Sequence, residues 1–170
     1  MLIGNLTEAR FVIIWSCLIC IGVGSFSTAC DINSDQVSHS NTAPISAAKP
    51  DDLSHLFSSS GREKVELVDG NLLGKDYLPG GNLVEYRKQG VHFQQFLIRA
   101  STPEKAMFLM IDLKNDLVNA KFVPHLGGYF GLDGNNPILV MQRGRSLAGV
   151  VGLPERDADN ILREFAQRLD

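Results

Sequence analysis

The sequence predicts an α+β fold, an antiparallel sheet of about five strands covered by two amphipathic helices in the order ββ-α-βββ-α. Three observations carry this expectation. Apolar residues recur at helical spacing in two stretches, Ala106, Leu109, Met110, Leu113 and Leu117, then Ala158, Ile161, Leu162, Phe165 and Leu169. Each stretch follows a group of short segments that read as strands. Those segments are joined by turns too short for a crossover connection, which makes neighbouring strands antiparallel.

The elements follow in order. Residues 64–68 read as a short strand, and Gly70, Gly74, Pro79, Gly80 and Gly81 mark a looped region after it. Residues 82–88 and 92–100 read as a hairpin through Gln89-Gly90, with Gly supplying positive φ. Val84 and Tyr86 alternate with Glu85 and Arg87, so this pair is expected to be half-buried. The period then changes: Ser101 or Thr102 caps a helix, Pro103 enters its first turn, and Glu104 completes a capping box from Ser101. Its tail gives way to Asn119 and a loop ending at 124–128. Residues 129–132, 138–143 and 146–153 read as three strands with turns at Asp133-Gly134-Asn135 and near Gly144, and Pro154-Glu155 opens the last helix. Apart from this twofold strands-then-helix layout, no internal repeat is visible.

The N-terminal 30 residues read differently. A short start in which the amino terminus and Arg10 outweigh Glu8 precedes an apolar block over 11–21 and a small-residue run over 22–29. The apolar block is about eleven residues, within the roughly 7 to 15 of an export signal and short of the roughly 20 of a spanning helix. Extended to Ala29 it reaches about 19 residues, or roughly 28 Å, so a retained anchor stays open beside cleavage. Ser27-Thr28-Ala29-Cys30 resembles a bacterial lipoprotein signal, although Ser27 stands where such signals usually carry Leu, and Ser27-Thr28-Ala29 also fits ordinary small-x-small cleavage. The resemblance implies a lipid, such as palmitate, on Cys30 as the mature N-terminus, a membrane-anchored partner surface and a periplasm-facing location in the cell envelope. Asp31 resembles the inner-membrane retention signal of enteric lipoproteins.

Cysteine usage agrees. The three Cys are at 17, 20 and 30, so no internal disulfide is available to a chain that begins at Cys30. Cys17 and Cys20 have a redox-pair spacing but stand inside the apolar block, where small hydrophobes are the ordinary occupants.

The domain expectation is therefore 1–29 as signal peptide, 30–61 as flexible linker with Cys30 as lipid anchor, and 62–170 as a single α+β domain. Residues 31–61 are rich in Ser, Asp, Asn, Ala and Pro without apolar period. As a coil of about 31 residues they span on the order of 30 Å. The linker carries four Asp against Lys49, which accounts for the chain's net charge of −3, whereas residues 62–170 hold fourteen Lys plus Arg against fourteen Asp plus Glu. A neutral domain on an acidic tether has no electrostatic footprint for nucleic acid or anionic lipid.

No stretch carries a catalytic signature, and no cofactor or metal is implied. Gly127-Gly128-Tyr129-Phe130-Gly131 lacks both phosphate-loop spacings and is not followed by a helix. Asp133-Gly134-Asn135 begins like a calcium loop, but Pro137 falls at the next ligand position. His39, His55, His92 and His125 are not at metal spacing. Asp112 and Asp116 lie one turn apart off the apolar stripe and are expected to be solvated. Asp159 with Arg163 and Glu164 with Arg168 have the favourable acid-first i,i+4 order. No G-x-S-x-G elbow or S-x-x-K motif is present.

One candidate site is a basic rim of Arg87, Lys88, Arg143 and Arg145, which forms if both turns lie at one end of the sheet and would hold an anion or an acidic partner. The function this favours is an envelope-anchored lipoprotein whose small non-catalytic domain binds an envelope protein. The alternative is a periplasmic ligand-binding protein or enzyme, with loops from Tyr77-Leu78-Pro79-Gly80-Gly81 to His125 and Tyr129, or His92, meeting around a pocket.

Overall fold

A computed structural model describes residues 49–169. The signal-like segment, Cys30 and the linker up to residue 48 lie outside the described residues. The elements are β1 (Arg62–Gly70), β2 (Pro79–Lys88), β3 (Val91–Arg99), α1 (Pro103–Asp116), β4 (Val118–Val123), β5 (Gly128–Asp133), β6 (Asn136–Arg143), β7 (Ser146–Val151) and α2 (Glu155–Ala166). All strand pairs are antiparallel, in one seven-stranded sheet of spatial order β1-β2-β3-β7-β6-β5-β4. Two meanders build it. The first ends at the sheet centre with β3, α1 then carries the chain over β7, β6 and β5 to the far edge, and the second meander returns until β7 pairs with β3.

The turns follow from local chemistry. Gln89 and Gly90 have φ of 50° and 81° between the paired Lys88 and Val91, the two-residue turn whose twist suits a right-handed hairpin. Thr102 caps α1, its Oγ accepting from the Lys105 N–H at 3.2 Å, and Pro103 occupies the first turn, where its missing donor costs nothing.

The two helices cover opposite faces. On one face, Ala158, Leu162 and Phe165 of α2 pack on Val84, Tyr86, Leu97, Leu139 and Ala148. On the other, Met110 and Leu113 of α1 pack on Phe96, Ile98, Ile138, Val140 and Leu147, with Leu72 and Leu78 from the loop between β1 and β2 covering what α1 does not reach. The central strands are consequently buried on both sides, which explains the unbroken apolar runs 96–98 and 138–141. Close packing between faces needs Gly149: it is paired with Phe96, and a Cβ there would run into the Phe96 ring.

The α+β class, the antiparallel sheet and the two helices agree with expectation, but the sheet has seven strands in the order βββ-α-ββββ-α rather than about five in ββ-α-βββ-α. Residues 62–70 form a full edge strand whose side chains are mostly exposed, so they lack a buried alternation to read. Strand β4 follows α1 with only Leu117 between them, and its alternation is broken by an irregularity containing Asn119 at φ 56°. In β2 the expected alternation holds, with Val84 and Tyr86 buried and Arg87 exposed, whereas its partner β3 is enclosed on both faces at Phe96, Leu97 and Ile98.

The linker expected to run to residue 61 ends earlier. Phe57 is 5% exposed and its ring stands 4.9 Å from that of Phe165, with Leu53 and Leu56 packed beside it. Asn82, 2% exposed, grips this segment with both ends of its amide: Nδ2 donates to the Asp51 carbonyl at 2.9 Å and Oδ1 accepts from the Leu53 N–H at 3.0 Å. The polar composition of 51–60 concealed three apolar side chains that close the α2 face.

Candidate functional site

The end of the sheet at which β3 finishes and β7 begins carries a cleft of about 820 Å³. One wall is the β1–β2 connection, including Asp69, Asp76, Tyr77 and Pro79; the other is Arg99, Ser101, Lys105 and Arg145. Leu78 and Leu109 line it between them, Phe108 stands at its rim 59% exposed, and Lys49-Pro50-Asp51 border it where the chain enters the domain.

The basic wall is assembled by pairing of distant strands. Arg99 is opposite Ser146, and the Ala100 N–H donates to the Arg145 carbonyl at 2.8 Å, which brings the end of β3 beside the β6–β7 turn. Gln142 fixes the start of α1 against that turn, its amide donating to the Pro103 carbonyl at 3.0 Å and the Gly144 carbonyl at 2.9 Å, so Lys105 joins the group. Arg99 Nε is buried without a hydrogen-bond partner. An unpaired N–H of this kind costs about 1–3 kcal/mol, more in a charged group.

The opposite wall is locked down. Lys75 Nζ reaches Asp133 at 3.1 Å and Asp116 at 3.2 Å, and the Tyr77 hydroxyl donates to Asp116 Oδ2 at 2.5 Å. Burial opposes the charge on Lys75, yet its two carboxylate partners outweigh that and raise its pKa. Burial first, then the bond to Asp116, pushes the Tyr77 hydroxyl up, while that same bond and Lys75 hold the Asp116 carboxyl below its ordinary value. Asp116, expected to be simply solvated, is thus the clasp between α1 and the cleft wall.

No family model matches the chain, and no curated protein or solved structure matches it.

The four residues of the expected basic rim are not brought together. Arg87 and Lys88 close the β2–β3 hairpin, whereas Arg143 and Arg145 flank the β6–β7 turn beside the far end of β3. The nine residues of β3 separate the two turns by about 30 Å. Arg87 is instead paired with Glu63 at 2.8 Å, and His92 Nδ1 lies 3.6 Å from the same carboxyl group. Arg145 alone of the four lines the cleft. Arg99 and Lys105 are the cations that sequence reasoning missed.

The expected meeting of the Tyr77–Gly81 loop with His125 and Tyr129, or with His92, around one pocket does not occur. Tyr77, Leu78, Pro79 and Gly80 line the cleft, but His125 lies in the β4–β5 turn with Nε2 against Asp159 of α2, and Tyr129 packs on Phe122 with ring centroids 5.4 Å apart. Asp159 also holds Arg163 at 2.9 Å, and Glu164 holds Arg168 at 2.7 Å, the two expected helix pairs. Gly127 and Gly134 have φ near +60° in their turns, and Gly128 lies so close to Val140 that a Cβ would strike its carbonyl, which accounts for the glycines without a phosphate loop. Among the described residues no group of three metal-binding side chains occurs, and no helix is long and apolar enough to cross a membrane.

Proposed function

We propose that this chain is an envelope-anchored lipoprotein, tethered through a lipid on Cys30, whose domain is a non-catalytic binding module that offers its cleft to a partner in the cell envelope. The position of the cleft carries the reading. Lys49, Pro50 and Asp51 border it, so the binding surface lies at the point where the tether joins the domain.

Fractionation of a diderm bacterial host tests it. Wild type is expected in the membrane fraction and released by detergent, and Cys30→Ala is expected to lose processing or membrane retention. Equal partition of the two proteins would refute the lipid anchor. The Tyr77–Gly80 wall also favours a second reading, a diffusible periplasmic ligand-binding protein, for which the mature product would begin at or near Cys30 without lipid.

A further inference from the structure

We infer that the cleft recognises an anionic group, a phosphate or a carboxylate, borne on a short apolar chain; this rests on the reading of the cleft as the binding surface. The anion site is the β3–β7 side. Arg99, Lys105 and Arg145 converge there from three elements, and none of the three has an ion-pair partner among the described residues. Several other cations of the domain contrast with this. Lys75, Lys121, Arg87, Arg163 and Arg168 each hold a carboxylate.

Arg99 supplies the second observation. Its Nε is out of solvent and without an acceptor, although the side chain reaches a cleft wall. A guanidinium offers a planar fork of donors suited to two oxygens of one carboxylate or phosphate. Arg145 and Lys105, both exposed, add charge from the rim.

The remaining lining defines the rest of the ligand. Leu78, Leu109 and Phe108 give the cleft an apolar lining, which a few methylenes fill. Asp51, Asp69 and Asp76 also border the cleft, on the side of β1 and the incoming chain. Their charges repel a second anionic group and confine the first to the Arg99 side. The cleft therefore selects one acidic head with an apolar tail over a polyanion.

Calorimetric titration of the full chain with hexyl phosphate, inorganic phosphate and hexanol tests this. Hexyl phosphate is expected to bind saturably and at least tenfold more tightly than either of the other two. Arg99→Gln should weaken it tenfold or more, and Arg145→Gln and Lys105→Gln by a few-fold each. Arg87→Gln, at the other end of the sheet, should change nothing. Melting curves establish that each variant is folded; if Arg99→Gln is not, the two exposed cations decide. Absence of saturable binding by folded wild type, or binding indifferent to Arg145 and Lys105, would overturn the inference while leaving the Cys30 anchor standing. Repeating the titration with vesicles separates the two sources of the chemistry. Competition by phosphatidylglycerol vesicles but not by phosphatidylcholine vesicles identifies a bilayer headgroup, and competition by neither identifies a soluble amphiphile.

Discussion

Asn82 holds the main chain of Leu53 and Asp51 with both ends of one buried amide, and so determines where the N-terminal segment enters the domain. The pair of bonds bridges strand β2 and a segment whose composition reads as linker. Removing them leaves the part-buried Leu53 N–H and the Asp51 carbonyl without these partners. Asn82→Ala is expected to lower unfolding stability by about 1–3 kcal/mol, measured by urea denaturation. Amide exchange at Leu53 should accelerate in the variant, whereas exchange in the β6–β7 hairpin should change only as global stability does.

The clasp of Lys75 and Tyr77 on Asp116 gives a pH dependence with a definite sign. Lys75 and Tyr77 have folded pKa values above their ordinary values, so their contribution is complete below about pH 10 and is lost as pH rises further. Asp116 has a lowered value, so its contribution is complete above about pH 4 and is lost as pH falls through the folded value. Because Asp116 is 43% exposed, water screens the pair and the effect on global stability stays below about 1 kcal/mol. Local exchange is the sensitive readout. Residues 72–78 should show enhanced amide exchange in Asp116→Asn at pH 7, and the wild-type loop should approach that behaviour at alkaline pH.

Gly149 allows the ring of Phe96 to lie across β7. Gly149→Val is expected to destabilise by at least the 1–3 kcal/mol typical of overpacking, because the ring that a side chain would strike is fully buried and cannot swing away. Differential scanning calorimetry of the variant, beside Gly134→Ala in an open hairpin turn, measures this. The turn variant should lose less, its cost being backbone conformation at φ 59° without a clash.

Phe165 joins α2 to the segment before β1. Phe165→Ala should cost about 3–5 kcal/mol, the range for a large aromatic removed from a core, and should loosen residues 53–57 as well as α2. Loss confined to α2, with residues 53–57 as protected as in wild type, would contradict the packing described.

The helices were legible because their apolar stripes are local. Ala158, Leu162, Phe165 and Leu169 are buried as their spacing implies, and Thr102 and Pro103 mark the start of α1. Strand β4 was not legible, since the Asn119 irregularity interrupts its alternation directly after a helix followed only by a buried Leu117. The cleft was legible only in pieces. The Tyr77–Gly81 loop drew notice through its glycines and proline, and Arg145 through its turn, but Arg99 ends an apolar strand and Lys105 sits in a helical first turn. What brings them together is the β3–β7 pairing, a contact between segments far apart in the chain that no local period reports. The same pairing separated Arg87 and Lys88 from Arg143 and Arg145, because a strand intervenes between turns that sequence order alone left unplaced.

The most direct test of the account is the intact mass of the mature protein extracted with detergent from membranes of a diderm bacterial host. A chain that begins at Cys30 with added acyl mass is expected, and a Cys30→Ala protein that lacks it. A mass that begins at Met1, or at Cys30 with no added lipid, would contradict it.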